Sequence, residues 1–305
     1  MNSGMIAVNK PEGISSGRLV ASLKKIFGIK KIGHTGTLDP FASGLMLCGI
    51  NKGTRLSRFF LDGSKRYRAR VCLGVETDTQ DLTGTVTHRT GLEGLELTEE
   101  IIHNAVAEFS GKQRQVPPVY SALKHKGKPL YQYAREGKPV TKPPREIEIY
   151  EIRLEHVQLP YIDIDVYCSS GTYIRTLGSD IGRSLGTGAH LTRLCRTQTC
   201  GYSLTGACTL DDLESMHRED AFRKITPLAE AVSFLPAVRI GPELVRKVRF
   251  GQRLTLSDIF NQDTGSDNRQ GDEPIRLLTP EGDLAAIVQW DDNVREYNYS
   301  CVFTE

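Results

Sequence analysis

Apolar positions along this chain follow two periods, and each predicts an element. Between Ser15 and Gly28, Leu19, Val20, Leu23, Ile26 and Phe27 recur at i, i+1, i+4, i+7 and i+8, one face of a helix. Ser15 or Ser16 is placed to cap its start, and Gly28 to end it. The stretch "LTEEIIHNAVAEFSG" reads as a second helix, capped by Thr98 and stopped by Gly111. "KGTRLSRFFLDG" fits a third, with Leu56, Phe59 and Phe60 inward. Period two takes over where Tyr67, Ala69, Val71, Leu73 and Val75 alternate with Arg68, Arg70 and Cys72, a half-buried strand. Short apolar runs, "MIAVNK" and "LMLCGI", read as strands. So do "IEIYEIRLEHV", "IDIDVYCSS" and "AHLTRLCRTQTCGY", while "GTYIRTLGSDIGRSLG" turns into a helix and "TLDDLESM" is a short one. "ETDTQDLTGT" is a polar turn.

Residues 112–145 break the pattern with six prolines and read as a long exposed excursion. Pro227–Pro236 reads as a link. Beyond it "IRLLT", "LAAIVQW" and "NYSCVF" form the pattern of a small β unit over 237–305, with 261–274 expected as a mobile loop. At 305 residues, two domains are the expectation: 1–232 and 237–305.

The net charge of +2 is nearly neutral, but its distribution is not. Lys112–Arg145 holds nine basic residues and one acid, and Lys52–Arg70 seven and one. Val71–Glu108 between them holds eight acids against Arg89. If the two basic stretches meet in space they form the footprint of a polyanion; if not, they are solvated surfaces. The seven cysteines show no C-x-x-C pair and are expected as reduced, buried small hydrophobes. No signal peptide and no apolar run near the length of a membrane span is visible, so a cytoplasmic protein with no membrane association is expected.

The candidate chemistry begins with "GHTGTLDP", residues 33–40. Asp39 before Pro40 is a normal helix start, Asp as cap and Pro as first residue. Against that, "FASGLML" holds a glycine and reads as turn and strand, and Pro40 keeps Asp39 out of the α region. His34 has no carboxylate or thiol at ligand spacing, so a bond to backbone or phosphate is favoured over a metal. Gly33 and Gly36 are expected to let the backbone bend tightly beside a ligand. Arg175, just past a glycine turn, suits a fixed cation for a carboxylate or phosphate. Tyr67 among four basic residues suits stacking on an extruded base, or a core position in a strand.

Six blocks occur in order: "NKPEGISS", "GHTGTLDPFASGLM", "KRYRARVCLGVETDTQD", "VPPVYSALKHKGKPLYQYAREG", "SSGTYIRTL" and "GAHLTRLCRT". The set resembles the bacterial tRNA pseudouridine synthase B (TruB) family over roughly residues 5–230. The resemblance implies an α/β (α+β) fold: a mixed, largely antiparallel central sheet flanked by helices, with a small C-terminal β-barrel-like, PUA-like domain. It implies isomerisation of uridine 55 in the T loop of tRNA. Asp39 matches the catalytic aspartate and Arg175 the arginine that pairs with it. His34 matches the histidine that enters the T loop, Tyr67 the tyrosine stacked on the target base, and Tyr173 and Leu194 further substrate contacts. Residues 112–145 match a thumb-like insert that closes on RNA. The reaction needs no cofactor and no metal; the expected partner is the tRNA T arm, with no guide RNA and a monomeric enzyme.

Chemistry makes the assignment reasonable. The target base must leave its stack, which costs a few kcal/mol. Bond cleavage leaves positive character on the sugar and negative charge on uracil, and a carboxylate can attack or stabilise the cation. The C-terminal unit departs from a nucleic-acid surface: Leu254–Glu305 carries eleven acids and three arginines. Only the cluster Arg239, Arg246, Lys247, Arg249 and Arg253 is expected to add to RNA affinity there.

Overall fold

A computed structural model describes residues 3–260 and 273–304. Most of the expected 261–274 loop lies outside the described residues.

In chain order the first strands are β1 (Gly4–Lys10), β2 (Ile32–His34), β3 (Ser43–Ile50) and β4 (Lys65–Leu73). A small hairpin, β5 (Val75–Thr77) and β6 (Val86–Arg89), precedes β7 (Gly111–Gln115). A second one, β8 (Lys124–His125) and β9 (Lys128–Pro129), lies in the insert. Then come β10 (Arg145–Gln158), β11 (Tyr161–Cys168), β12 (Ala189–Thr199), β13 (Tyr202–Ser203) and β14 (Thr226–Pro227). The main sheet runs β14-β1-β3-β12-β4-β11-β10-β7, with β2 on β3 and β13 on β12. Every pairing in it is antiparallel except β12 with β3, which are parallel at Cys195–Ser43 and Arg196–Gly44. This is the mixed, largely antiparallel sheet expected.

The two sequence periods have a direct physical origin. β1 and β3 are covered on both faces: Ile6, Val8, Met46 and Cys48 pack into one core, Met5, Leu45 and Leu47 into another. A strand buried on both sides reads as a continuous apolar run. β4 is covered on one face, where Tyr67, Ala69, Val71 and Leu73 share a core with residues of helices Ser16–Phe27 and Ile174–Ser184. Its other face pairs charge with charge: Arg66 to Asp165 (2.6 Å) and Glu151 (2.8 Å), Arg70 to Asp163 (2.7 Å). The alternation ends earlier than expected, because Gly74 adopts φ +83 and moves Val75 into the hairpin.

Helix Ser16–Phe27 starts and stops as its sequence predicts. The Ser15 hydroxyl accepts from the Arg18 amide, and Gly28 ends it in the left-handed region at φ +65. Thr98 caps helix Glu99–Ala107, while Gly111 begins a strand after the helix has ended. Asn51–Leu61 is a 3₁₀ segment followed by one α turn, not a single helix; Leu56 and Phe60 are buried, and Phe59 only partly. A Gly in that segment sits where a Cβ would meet the Gly4 carbonyl at 2.0 Å, so the chain is pressed against β1. Residues 111–115 and 145 belong to the sheet, so the true excursion runs over 116–144.

The small C-terminal sheet contains β15 (Ala237–Arg239), β16 (Ile275–Leu278), β17 (Leu284–Asp291) and β18 (Glu296–Val302), in that order. The stretch expected as a link is not a bare one. Ala231 and Val232 are buried in a core that also holds Met5, Leu45, Leu47, Leu56, Phe60, Leu284, Ile287 and Phe303. All seven cysteines are free thiols; Cys48, Cys72 and Cys168 are buried and the others partly exposed. Among the described residues no helix is long and apolar enough to cross a membrane.

Candidate active site

Where β3 and β12 meet, the chain cannot carry an ordinary residue. Gly44 adopts φ +109, and a Cβ there would lie 2.3 Å from the Arg196 carbonyl. The loop that feeds β3 carries Asp39. No helix follows Pro40: the Ala42 amide donates to the Asp39 carbonyl (3.1 Å) and the strand begins at Ser43. Asp39 is a turn residue with its side chain presented, not a helix cap.

That loop is tied down from three sides. The Ser16 hydroxyl donates to the Leu38 carbonyl (3.0 Å) and accepts from the Leu38 amide (2.9 Å). The Thr35 amide donates to Leu47 (3.0 Å), and the Gly13 amide to Pro40 (2.8 Å). Lys10 lies beneath, fully buried, its ammonium donating to the carbonyls of Pro11 and Ile14 (both 2.8 Å) and Pro40 (3.4 Å). Burial pulls its pKa down to about 8, against the attraction of Asp39 and Glu12. Gly33 lies in β2 and Gly36 in the bend that follows it; neither has a left-handed backbone, and a Cβ on either meets nothing closer than 3.6 Å, so neither position demands a glycine.

Arg175 stands on the first turn of helix Ile174–Ser184 and is 3% exposed. Its Nε donates to Asp39 Oδ2 at 2.8 Å, Nη1 to the Thr79 carbonyl at 2.6 Å and Nη2 to the Tyr120 carbonyl at 2.7 Å. Asp81 Oδ2 stands 3.7 Å from Nη1. One cation thus joins the Asp39 turn, the 77–83 turn and the insert. Asp39 is 35% exposed, and its Oδ1 takes no hydrogen bond among the described residues. The polar turn has a fixed shape of its own: Asp81 Oδ1 accepts from the hydroxyls of Thr79 (2.8 Å) and Thr83 (2.6 Å) and the Thr83 amide (2.9 Å).

Asp39 and Arg175 open onto a cavity of about 390 Å³. Tyr67, Tyr173 and Leu194 line it too, so five of the six expected residues converge. Both basic stretches reach it, through Leu61, Lys65 and Tyr67 from one and Ser121, Leu123 and Arg145 from the other. His34 does not line it; its ring is half-buried, and its Nδ1 is buried without a partner. Burial, then Arg196, lowers the His34 pKa, so the ring is neutral at pH 7. Tyr67 is buried, and burial raises its phenol pKa against the opposing charge of Arg196.

Four contributors were not singled out in the sequence. Arg196 is buried and donates to the carbonyls of Leu45 (2.7 Å) and Gly36 (3.4 Å). Gln115 pairs its amide with the Tyr173 backbone, accepting from N–H (2.8 Å) and donating to C=O (3.0 Å). Asp81 and Lys10 are the others. The signal available for Lys10 was an ammonium inside an apolar strand immediately before a proline. Among the described residues no group of three or more His, Cys, Asp and Glu is placed to hold a metal ion.

Two family models match the chain. One, the N-terminal domain of TruB family pseudouridylate synthases, covers residues 24–174. The other, the C-terminal domain of tRNA pseudouridylate synthase B, covers 175–233. The chain is 37% identical over 296 residues to tRNA pseudouridine synthase B of Syntrophotalea carbinolica, covering 96% of this chain and 94% of the relative. It is 40% identical over 300 residues to that of Haemophilus influenzae, covering 96% and 90%. Among solved structures it is similar to a chain of a Cbf5-Nop10-Gar1 complex, with TM-score 0.73 and 26% identity, covering 100% of this chain and 84% of that one. With family models matching residues 24–233 and relatives aligned over nearly the whole length, the chain belongs to the TruB family of pseudouridylate synthases.

Proposed function

We propose that this chain is a tRNA pseudouridine synthase that isomerises uridine 55 in the T loop. The observation that carries the reading is the Asp39–Arg175 pair at 2.8 Å, opening onto a cavity walled by Tyr67, Tyr173 and Leu194. In the reaction the N1–C1′ bond of uridine breaks, the uracil turns and C5 bonds to C1′; the C5 proton leaves and N1 gains one. Asp39 supplies the negative charge that the sugar needs as the glycosidic bond opens. Arg175 holds one carboxylate oxygen and leaves the other for the substrate. Tyr67 offers the extruded base an aromatic face, and Tyr173 and Leu194 confine it. His34, neutral and beside the cavity, fills the space the uridine vacates in the T loop.

The cost of extrusion is met by contacts outside the base, and residues 116–144 supply them as a thumb over the RNA. The catalytic domain is assigned to 1–232 and the small β domain to 237–305. The lone chain acts as a monomer on the T arm, without a guide RNA and in the cytoplasm. The named relatives support this through tRNA. A similar solved structure, an H/ACA RNP bound to a substrate RNA (TM-score 0.70, 26% identity), favours the alternative of guidance by a second RNA. Incubating the purified chain with a bare T-arm hairpin separates the two: pseudouridine at position 55 supports the stand-alone enzyme, and no product with the hairpin or with whole tRNA overturns it.

A further inference from the structure

Four cations line the cavity, and three of them donate to protein oxygens. Arg175 serves Asp39 and two carbonyls, Arg196 serves Leu45 and Gly36, and Lys65 donates to the carbonyls of Leu61 (2.8 Å) and Gly63 (2.5 Å). Arg145 is different. Its guanidinium lies over the Tyr173 ring, 4.7 Å from the centroid, and packs against Gly171, where a Cβ would come within 3.2–3.4 Å of it. It has no ion pair or hydrogen bond among the described residues, and its Nε is buried without an acceptor. Arg145 is also the first residue of β10, where the insert rejoins the sheet.

A planar cation held over an aromatic ring and given no acceptor is prepared for an anion. The RNA backbone brings one negative charge per nucleotide, and a nucleotide turned into this cavity must carry its own linkages past the cavity wall. Taking the proposed function as given, we propose that Arg145 binds a phosphodiester flanking the extruded uridine and so anchors the flipped nucleotide. Tyr173 then has two duties: one face confines the base or its sugar, the other fixes the guanidinium. Gln115 in turn fixes Tyr173. The contact places the anchor at the root of the insert, so closing of the insert and capture of the phosphate involve the same strand.

The test pairs the variant Arg145→Gln with T-arm hairpins in which one linkage flanking the target uridine, 5′ or 3′, is a neutral methylphosphonate. Binding and single-turnover conversion are measured across a salt series. For the unaltered protein, one of the two neutral linkages should weaken binding about tenfold, the loss of one charge-assisted contact. Arg145→Gln should weaken binding of the all-phosphate hairpin by a similar factor and flatten its salt dependence by about one charge. That variant should lose nothing more when the same linkage is neutral. Arg145 carries no ion pair, so the variant removes no charge partner and should melt near the unaltered protein. A full additional loss in Arg145→Gln on the neutral linkage, or wild-type affinity of that variant for the normal hairpin, overturns the proposal. Turnover by the unaltered protein in the same assay tests the proposed function separately.

Discussion

At the residue scale the site is built around one buried guanidinium. Arg175 has a carboxylate at 2.8 Å and two carbonyls, and each of its three nitrogens has a separate duty. A lysine keeps the charge but not the fork. Arg175→Lys should therefore lower kcat about a hundredfold or more while tRNA binding stays within a few-fold, in single-turnover assays. Wild-type kcat in that variant contradicts the role. Lys10 yields a pH prediction. Its folded pKa is about 8, below the ordinary lysine value, so between pH 8 and 10.5 the unfolded chain binds more protons and stability rises with pH. Urea unfolding at pH 7.5 and 10 should show a larger rise for the unaltered protein than for Lys10→Met; equal rises exclude this titration. Asp39, Tyr67 and Arg175 were legible in the sequence because their motifs are compact. Arg196 was not: it stands within a run legible only as a strand, and the β3–β12 junction that buries it is a tertiary contact.

At the element scale, helix Ser16–Phe27 does more than fill the core. Its first residue holds Leu38 by both amide and carbonyl, next to Asp39. Ser16→Ala leaves two buried backbone groups without partners, at about 1–3 kcal/mol each. It should lower denaturant stability by about that amount for at least one group and slow conversion. A fall in stability with unchanged kcat shows that Asp39 is positioned without this anchor. Elements with a clean period were legible: helix Ser16–Phe27 and β4 came out close to their observed bounds. Those set by tertiary contact were not. The 3₁₀ form of Asn51–Ser57 comes from close approach to Gly4, which no local pattern encodes. The 112–145 excursion was drawn too wide because basic charge and proline masked the sheet edge, where Gln115 is buried.

At the scale of the whole molecule, the small sheet is fastened to the large one. Lys52 and Arg55 donate to the carbonyls of Phe303 (2.8 Å) and Val302 (2.7 Å), while Leu284, Ile287 and Phe303 complete the core around Met5 and Phe60. Removing 237–305 therefore uncovers a core and does not isolate an RNA-binding contribution. Phe303→Ala should cost about 3–5 kcal/mol in unfolding experiments, seen at both sheets together. Separate transitions with an unchanged large domain contradict a shared core. The basic cluster expected to help bind RNA is partly consumed: Lys247 pairs with Asp258 (2.8 Å), Arg253 with Glu296 (3.2 Å), and Arg239 donates to the Pro280 carbonyl (2.9 Å). Charge counting along the chain found the cations but not these partners.

The central claim is that Asp39 performs the chemistry while the surrounding cavity binds the RNA. Pseudouridine mapping on whole tRNA, with Asp39→Asn beside the unaltered chain and binding measured on both, tests it most directly. The unaltered chain should convert uridine 55 alone, and Asp39→Asn should bind tRNA within a few-fold yet give no product. Conversion by Asp39→Asn at the unaltered rate would contradict the account.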